Sequence, residues 1–131
     1  MADNKKSVGL EMRQEHAEDY AMIDGYGDGG FRVKGRRVEG SIVITPQGVY
    51  PAAVDDNAEP TAEGLKHLTD KSHDLLLIGR GDSMTPLPKT LRLALEEQGL
   101  AYDLMDTGAA ARTYNVLLIE GRRVAALLKA V

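Results

Sequence analysis

The sequence predicts an α/β domain built on a mixed sheet, and three observations carry that prediction. Up to about Tyr50, apolar and polar positions alternate between glycine- and proline-containing turns, the pattern of antiparallel hairpins. Beyond Pro60, short apolar runs alternate with stretches whose apolar residues recur at helical spacing. Asp74–Ile78 and Leu100–Met105 are strands with a helix between them, so they should lie parallel, joined by a right-handed crossover. The 131 residues suit one compact domain. A chain of this size buries about 68% of its unfolded surface and needs no metal or disulfide to hold a core.

Taken in order, residues 1–19 are polar and mixed in charge and read as a flexible tail, with a single domain over residues 20–131. Tyr20 to Ile23 is a short apolar segment, and Asp24 to Gly30 reads as a glycine-rich turn. Phe31 to Lys34 alternates as a half-buried strand, and Gly35-Arg36-Arg37 turns the chain. Val38 to Thr45 is nearly continuous β sequence; Pro46-Gln47-Gly48 is turn chemistry, and Val49-Tyr50 resumes a strand. A helix can start at Thr61-Ala62-Glu63, with Leu65 and Leu68 at helical spacing. The second helix runs from Lys89 to Gln98, opened by Pro86 or Pro88 and stopped by Gly99. A third covers about Ala109 to Leu118, and Val124 to Leu128 closes the chain as a strand or buried edge.

Composition removes several function classes. With no cysteine there is no disulfide scaffold, thiolate zinc site or thiol nucleophile, which fits a reducing compartment. A net charge of −4, no Trp and sparse aromatics argue against a nucleic-acid partner. Lys34, Arg36 and Arg37 read as a solvated hairpin tip. No run reaches the ~20 apolar residues of a membrane span, so no direct membrane insertion is expected. The N-terminus lacks the apolar core of a signal peptide and is too acidic for a mitochondrial presequence, so the expected location is the cytoplasm. His16, His67 and His73 are scattered, and no metal or cofactor is expected.

A further signal lies in specific residues. Ile23-Asp24-Gly25-Tyr26-Gly27, Phe31, Gly35, Gly40-Ser41, and Leu77-Ile78-Gly79 with Gly81 form its first part. Asp106-Thr107, Arg112-Thr113-Tyr114-Asn115-Val116-Leu117 and Glu120-Gly121-Arg122-Arg123-Val124-Ala125-Ala126 form its second. Together, in order and in spacing, they resemble the family of small Mth-type α/β domains of unknown function, over about Tyr20 to Leu128. Its members include mitochondrial respiratory complex I assembly factor three and the adipogenesis-associated Mth-domain protein. The resemblance implies a three-layer domain: a central mixed β-sheet, flanking helices and an additional N-terminal β-hairpin layer. It implies a non-enzymatic protein-interaction module of bacterial type, with a protein partner related to a respiratory complex. Its bacterial members have no established activity. Two positions depart from the family: Tyr50-Pro51 where Trp is frequent, and Ala111 where Cys is frequent. Thiol chemistry is thereby absent from this chain.

The chemistry-bearing residues cluster late. Asp106-Thr107-Gly108 is the tripeptide of aspartic proteases, but that mechanism needs two such aspartates sharing a proton. The alanines that follow favour a helix, so Asp106 or Thr107 is better read as its cap. Gly79-Arg80-Gly81-Asp82 follows a strand and precedes a helix, where α/β sheets bind ligands. It is neither a P-loop nor a dinucleotide fingerprint. Asp24, Tyr26 and Asp28 among glycines lack the later bidentate Glu of a calcium loop. Ser83 lies in no nucleophile elbow.

Two readings then stand for the same residues. In one, Gly79, Gly81, Asp106, Thr107, Arg112, Thr113, Tyr114 and Asn115 form a small-molecule or anion site at the strand C-terminal edge, possessed by a binding protein or an enzyme. In the other they are a polar network locking the third helix onto the sheet, with Arg112 or Arg122 paired to Asp106 or Glu120. The sequence specifies neither a reaction nor an oligomeric state.

Overall fold

The computed structural model describes residues 20–68 and 73–131; the tail expected over residues 1–19, and His16 within it, lie outside them. Strands β1 (Ile23–Gly27), β2 (Gly30–Val33) and β3 (Arg36–Glu39) form an antiparallel sheet in that order. Phe31 stands opposite both Tyr26 and Val38 and is fully buried. The segment read as a glycine-rich turn is therefore mostly strand, and only Asp28 and Gly29 turn the chain, both at positive φ. Glycine and aspartate have poor strand propensity, and pairing with β2 overrides it. The second turn is Lys34-Gly35, two consecutive left-handed residues as tight hairpins require, so Arg36 and Arg37 belong to β3 rather than to the turn.

The main sheet contains β4 (Ile42–Thr45), β5 (Gly48–Pro51), β6 (Leu75–Gly79), β7 (Tyr102–Met105) and β8 (Val124–Leu128), in the order β5-β4-β8-β6-β7. β4 pairs antiparallel with β5 and β8, whereas β6 runs parallel to β7 and β8. The stretch expected as one strand from Val38 to Thr45 is broken at Gly40, whose φ of 82° sends the chain from the small sheet into the large one. β8 is not an edge. It pairs on both sides and all five of its residues are buried.

Among the described residues, two α-helices flank this sheet: α1 (Lys89–Gln98) and α2 (Thr107–Ile119). α1 ends where expected, at Gly99 in the left-handed conformation. α2 starts two residues earlier than the alanine run suggested, because the Asp106 carboxylate accepts the Ala109 N–H at 2.8 Å and caps it. The helix expected from Thr61 is a 3-10 helix, Ala62–Leu68.

Alternation along the strands separates two cores. Ile42, Ile44, Leu77, Ala126 and Leu128 pack with Phe31, Val33, Ala110, Tyr114 and Leu118, between the main sheet, α2 and the N-terminal sheet. Val43, Leu76, Ile78 and Leu127 pack on the opposite face with Leu65, Leu68, Leu91 and Leu95. Both faces are covered, which is why β6 and β8 read as unbroken apolar runs. The result is three layers, with the hairpin sheet sharing the side of α2.

Candidate functional site

β6 and β8 end side by side, and α2 begins against them. Gly79 makes this approach possible: a Cβ there would lie 2.8 Å from the Thr107 Cα and 3.0 Å from a Leu128 methyl. Gly81, at a φ of 100°, donates its N–H to the Thr107 hydroxyl oxygen at 2.9 Å. That hydroxyl donates to the Lys129 carbonyl at 2.7 Å, and the Thr107 N–H reaches the Gly81 carbonyl at 2.9 Å. Gly79, Gly81, Asp106 and Thr107 thus come together as the sequence suggested. Thr107 is fully buried, with its hydroxyl used as both donor and acceptor. These four residues lock a helix to two strand ends.

The other predicted residues lie further along α2 and divide by face. Tyr114 is fully buried and donates its hydroxyl to the Ala21 carbonyl at 2.9 Å; burial pushes the phenol well above its usual range, so it stays a donor. The Asn115 side chain accepts the Ile23 N–H at 2.9 Å and donates to the Ile23 carbonyl at 2.7 Å, acting as a one-residue strand partner for β1. Arg112 is exposed and donates to the Tyr26 hydroxyl at 2.9 Å. It does not pair with Asp106, which caps α2, and among the described residues neither Arg112 nor Arg122 forms an ion pair with Asp106 or Glu120. Thr113 is half-buried. Arg112 and Asn115 border a shallow hollow of about 230 Å³ with Asp24 and Tyr26.

A second cluster at the same strand edge was missed as a set of side chains. Arg80 follows β6 with its side chain 2% exposed. Its Nε donates to the Thr85 carbonyl and its Nη2 to the Pro86 carbonyl, each at 3.2 Å. Nη2 also lies 2.9 Å from Glu59 Oε1, an ion pair without hydrogen-bond alignment. Glu59 Oε2 accepts from Lys129 Nζ at 2.9 Å. Desolvation pushes the Glu59 carboxyl up, but the Lys129 hydrogen bond and the Arg80 guanidinium outweigh it and hold it below the usual range. Arg80 Nη1 is buried with no hydrogen-bond partner.

This cluster opens on a cleft of about 470 Å³ that Gly81, Pro86 and Pro88 also line. Arg80 carried a legible signal, a cation between two glycines at the end of an apolar strand. Lys129 ends an apolar run in the same way. Glu59, in a loop before Pro60, carried none.

Comparison with known proteins follows the same outline. Residues 23–129 match the family described as "Protein of unknown function (DUF498/DUF598)". A crystal structure described as that of an outer membrane protein from Bartonella henselae is 45% identical with a TM-score of 0.75, covering 86% of this chain and 96% of that one. A solution structure from Bordetella pertussis, described as a Mth938-like domain, is 29% identical with a TM-score of 0.67, covering 83% and 85%. The human NADH dehydrogenase (ubiquinone) 1 alpha subcomplex assembly factor 3 is 29% identical over 121 residues, which is 91% of this chain and 66% of that protein.

Proposed function

We propose, from the premise that this chain belongs to the DUF498/DUF598 family of proteins of unknown function, that it is a non-enzymatic interaction module serving the assembly of a respiratory complex. The observation that supports this reading best is the outer face of α2. Val116 and Ile119 are 54% and 52% exposed, on a helix whose inner face is fully committed to the core. At about 100° per residue, Arg112, Val116 and Ile119 fall within roughly 60° of one another. Tyr26, itself 43% exposed, joins them through its hydrogen bond to Arg112. Tyrosine and arginine beside exposed aliphatic residues is the composition of interface hot spots. The similarity to a complex I assembly factor supplies the kind of partner.

A cytoplasmic location belongs to the same proposal. Among the described residues no helix is long and apolar enough to cross a membrane. Because the Bartonella henselae relative is described as an outer membrane protein, fractionation of tagged protein is the direct check.

The test is affinity purification of the tagged full chain from its native cells, beside a Val116→Asp/Ile119→Asp variant. The wild type should retain subunits of a respiratory complex. The variant should lose them while unfolding within a few degrees of the wild type, because both side chains are half-exposed. Recovery of background proteins alone, or equal recovery by the variant, refutes the proposal.

A further inference from the structure

The cleft beside Arg80 shows three features that converge on one ligand chemistry. First, Arg80 lines it, its side chain 2% exposed and held in place by the Thr85 and Pro86 carbonyls, with Nη1 buried and still lacking a partner. An arginine anchored through Nε and Nη2 leaves Nη1 as a fixed donor, and buried donors are rarely left unpaired. Second, the N-terminal end of α1 borders the same cleft through Leu87 and Pro88. Its N-cap is Pro88, which supplies no side-chain hydrogen bond, and its first turn holds no acidic residue. The opening amides of the helix therefore keep their partial positive charge, and Lys89 at the first helical position adds to it. Third, Lys129 borders the cleft from the end of β8. Two carboxylates also line the cleft: Glu59, shared by Arg80 and Lys129, and Asp82, which is exposed.

We propose that this cleft is a binding site for an oxyanion carried by a small molecule, a carboxylate or a phosphate group. Its oxygens take hydrogen bonds from Arg80 Nη1 and the first-turn amides of α1, with Lys129 as a counter-charge. Glu59 is then the internal carboxylate that occupies the two cations in the unliganded protein, and the ligand competes with it. This site lies apart from the outer face of α2 and holds or fails independently of the interaction reading.

The competing role of Glu59 makes the proposal testable by sign. The full chain, labelled with nitrogen-15, is titrated with inorganic phosphate and separately with acetate, against sodium chloride at matched ionic strength, and the amide spectrum is followed. Saturable shifts should centre on Gly81 to Leu91 with one of the two anions, and which one saturates identifies the group. Glu59→Gln, which removes the competing charge, should tighten binding by about tenfold, and Lys129→Gln should weaken it by about the same factor. A purely structural ion-pair network predicts no saturation, or the same response to chloride. Either result overturns the proposal, as does binding by Glu59→Gln that is equal to or weaker than wild type.

Discussion

Replacing Asn115 with alanine removes two hydrogen bonds at once and decides whether this side chain serves the fold or a ligand. Its amide pairs with both the N–H and the carbonyl of Ile23, at 2.9 and 2.7 Å, and Ile23 anchors β1 in the core. Each such bond contributes about 1 kcal/mol net, and a backbone group left without a partner in a partly buried site adds a desolvation cost. The sum is about 2–4 kcal/mol. For a domain of this size that is a fall in melting temperature of roughly 10 °C. The assay is urea unfolding at equilibrium, combined with amide hydrogen exchange at Ile23, whose protection should fall with the loss of its acceptor. Thr113→Ala is the control: a half-buried neighbour on the same helix, expected to move stability by about 0.5 kcal/mol or less. A loss below about 0.5 kcal/mol for Asn115→Ala, with Ile23 protection unchanged, would show that β1 does not depend on this amide.

Thr107→Val keeps the shape of the buried side chain but leaves the Gly81 N–H and the Lys129 carbonyl without their partner, so it should cost about 2–3 kcal/mol in the same unfolding assay. Gly79→Ala places a methyl carbon 2.8 Å from the backbone of Thr107; forcing α2 off the sheet should cost about 2 kcal/mol or more, read as a lowered denaturation midpoint. Because the Glu59 carboxyl is held below its usual value, its contribution to stability is complete above the unfolded pKa of about 4.3 and disappears as pH falls through the lower folded value. The stability difference between wild type and Glu59→Gln should therefore hold steady down to about pH 5 and shrink as pH falls further, and a difference that stays constant or widens there would be inconsistent with this pairing.

The parts of the fold that were legible are those where local chemistry and tertiary packing agree. Lys89 to Gln98 carries its apolar residues on one side and ends at a glycine, and α1 has those bounds. The apolar runs at β6 and β8 announced strands, although the β8 run left an edge position open and the strand in fact pairs on both sides. Where packing overrides propensity, the sequence misled. Asp24 to Gly27 has the composition of a turn yet pairs as strand with β2, and Val38 to Thr45 has the composition of one strand yet divides between two sheets at Gly40. The 3-10 geometry of Ala62–Leu68 left no trace in an apolar spacing that also suits an α-helix. At the strand edge, Asp106 was legible as a cap because capping depends on residues three apart. The Glu59–Arg80–Lys129 cluster was not, since Lys129 is 70 residues from Glu59 and only the sheet brings them together.

The polar run Arg112-Thr113-Tyr114-Asn115 carried the resemblance to the Mth-type family, and the structure explains why a run so rich in hydrogen-bonding groups need not mark a reaction. Tyr114 and Asn115 fasten β1 and the chain leading into it onto α2, at Ala21 and Ile23. Their donors and acceptors are satisfied by backbone more than 90 positions away in the sequence. This is what a three-layer domain needs where a short, glycine-rich edge strand packs on a helix: β1 is too poor in apolar side chains to be held by burial alone, and two side-chain hydroxyl and amide groups supply the missing directional bonds. Such residues serve the fold of this chain whatever its partner. Functional variation then falls to positions that the fold leaves unused. On α2 those are Arg112, Val116 and Ile119, which point away from the core. At the strand edge it is Arg80 Nη1, a buried donor that the surrounding backbone holds in place and does not satisfy.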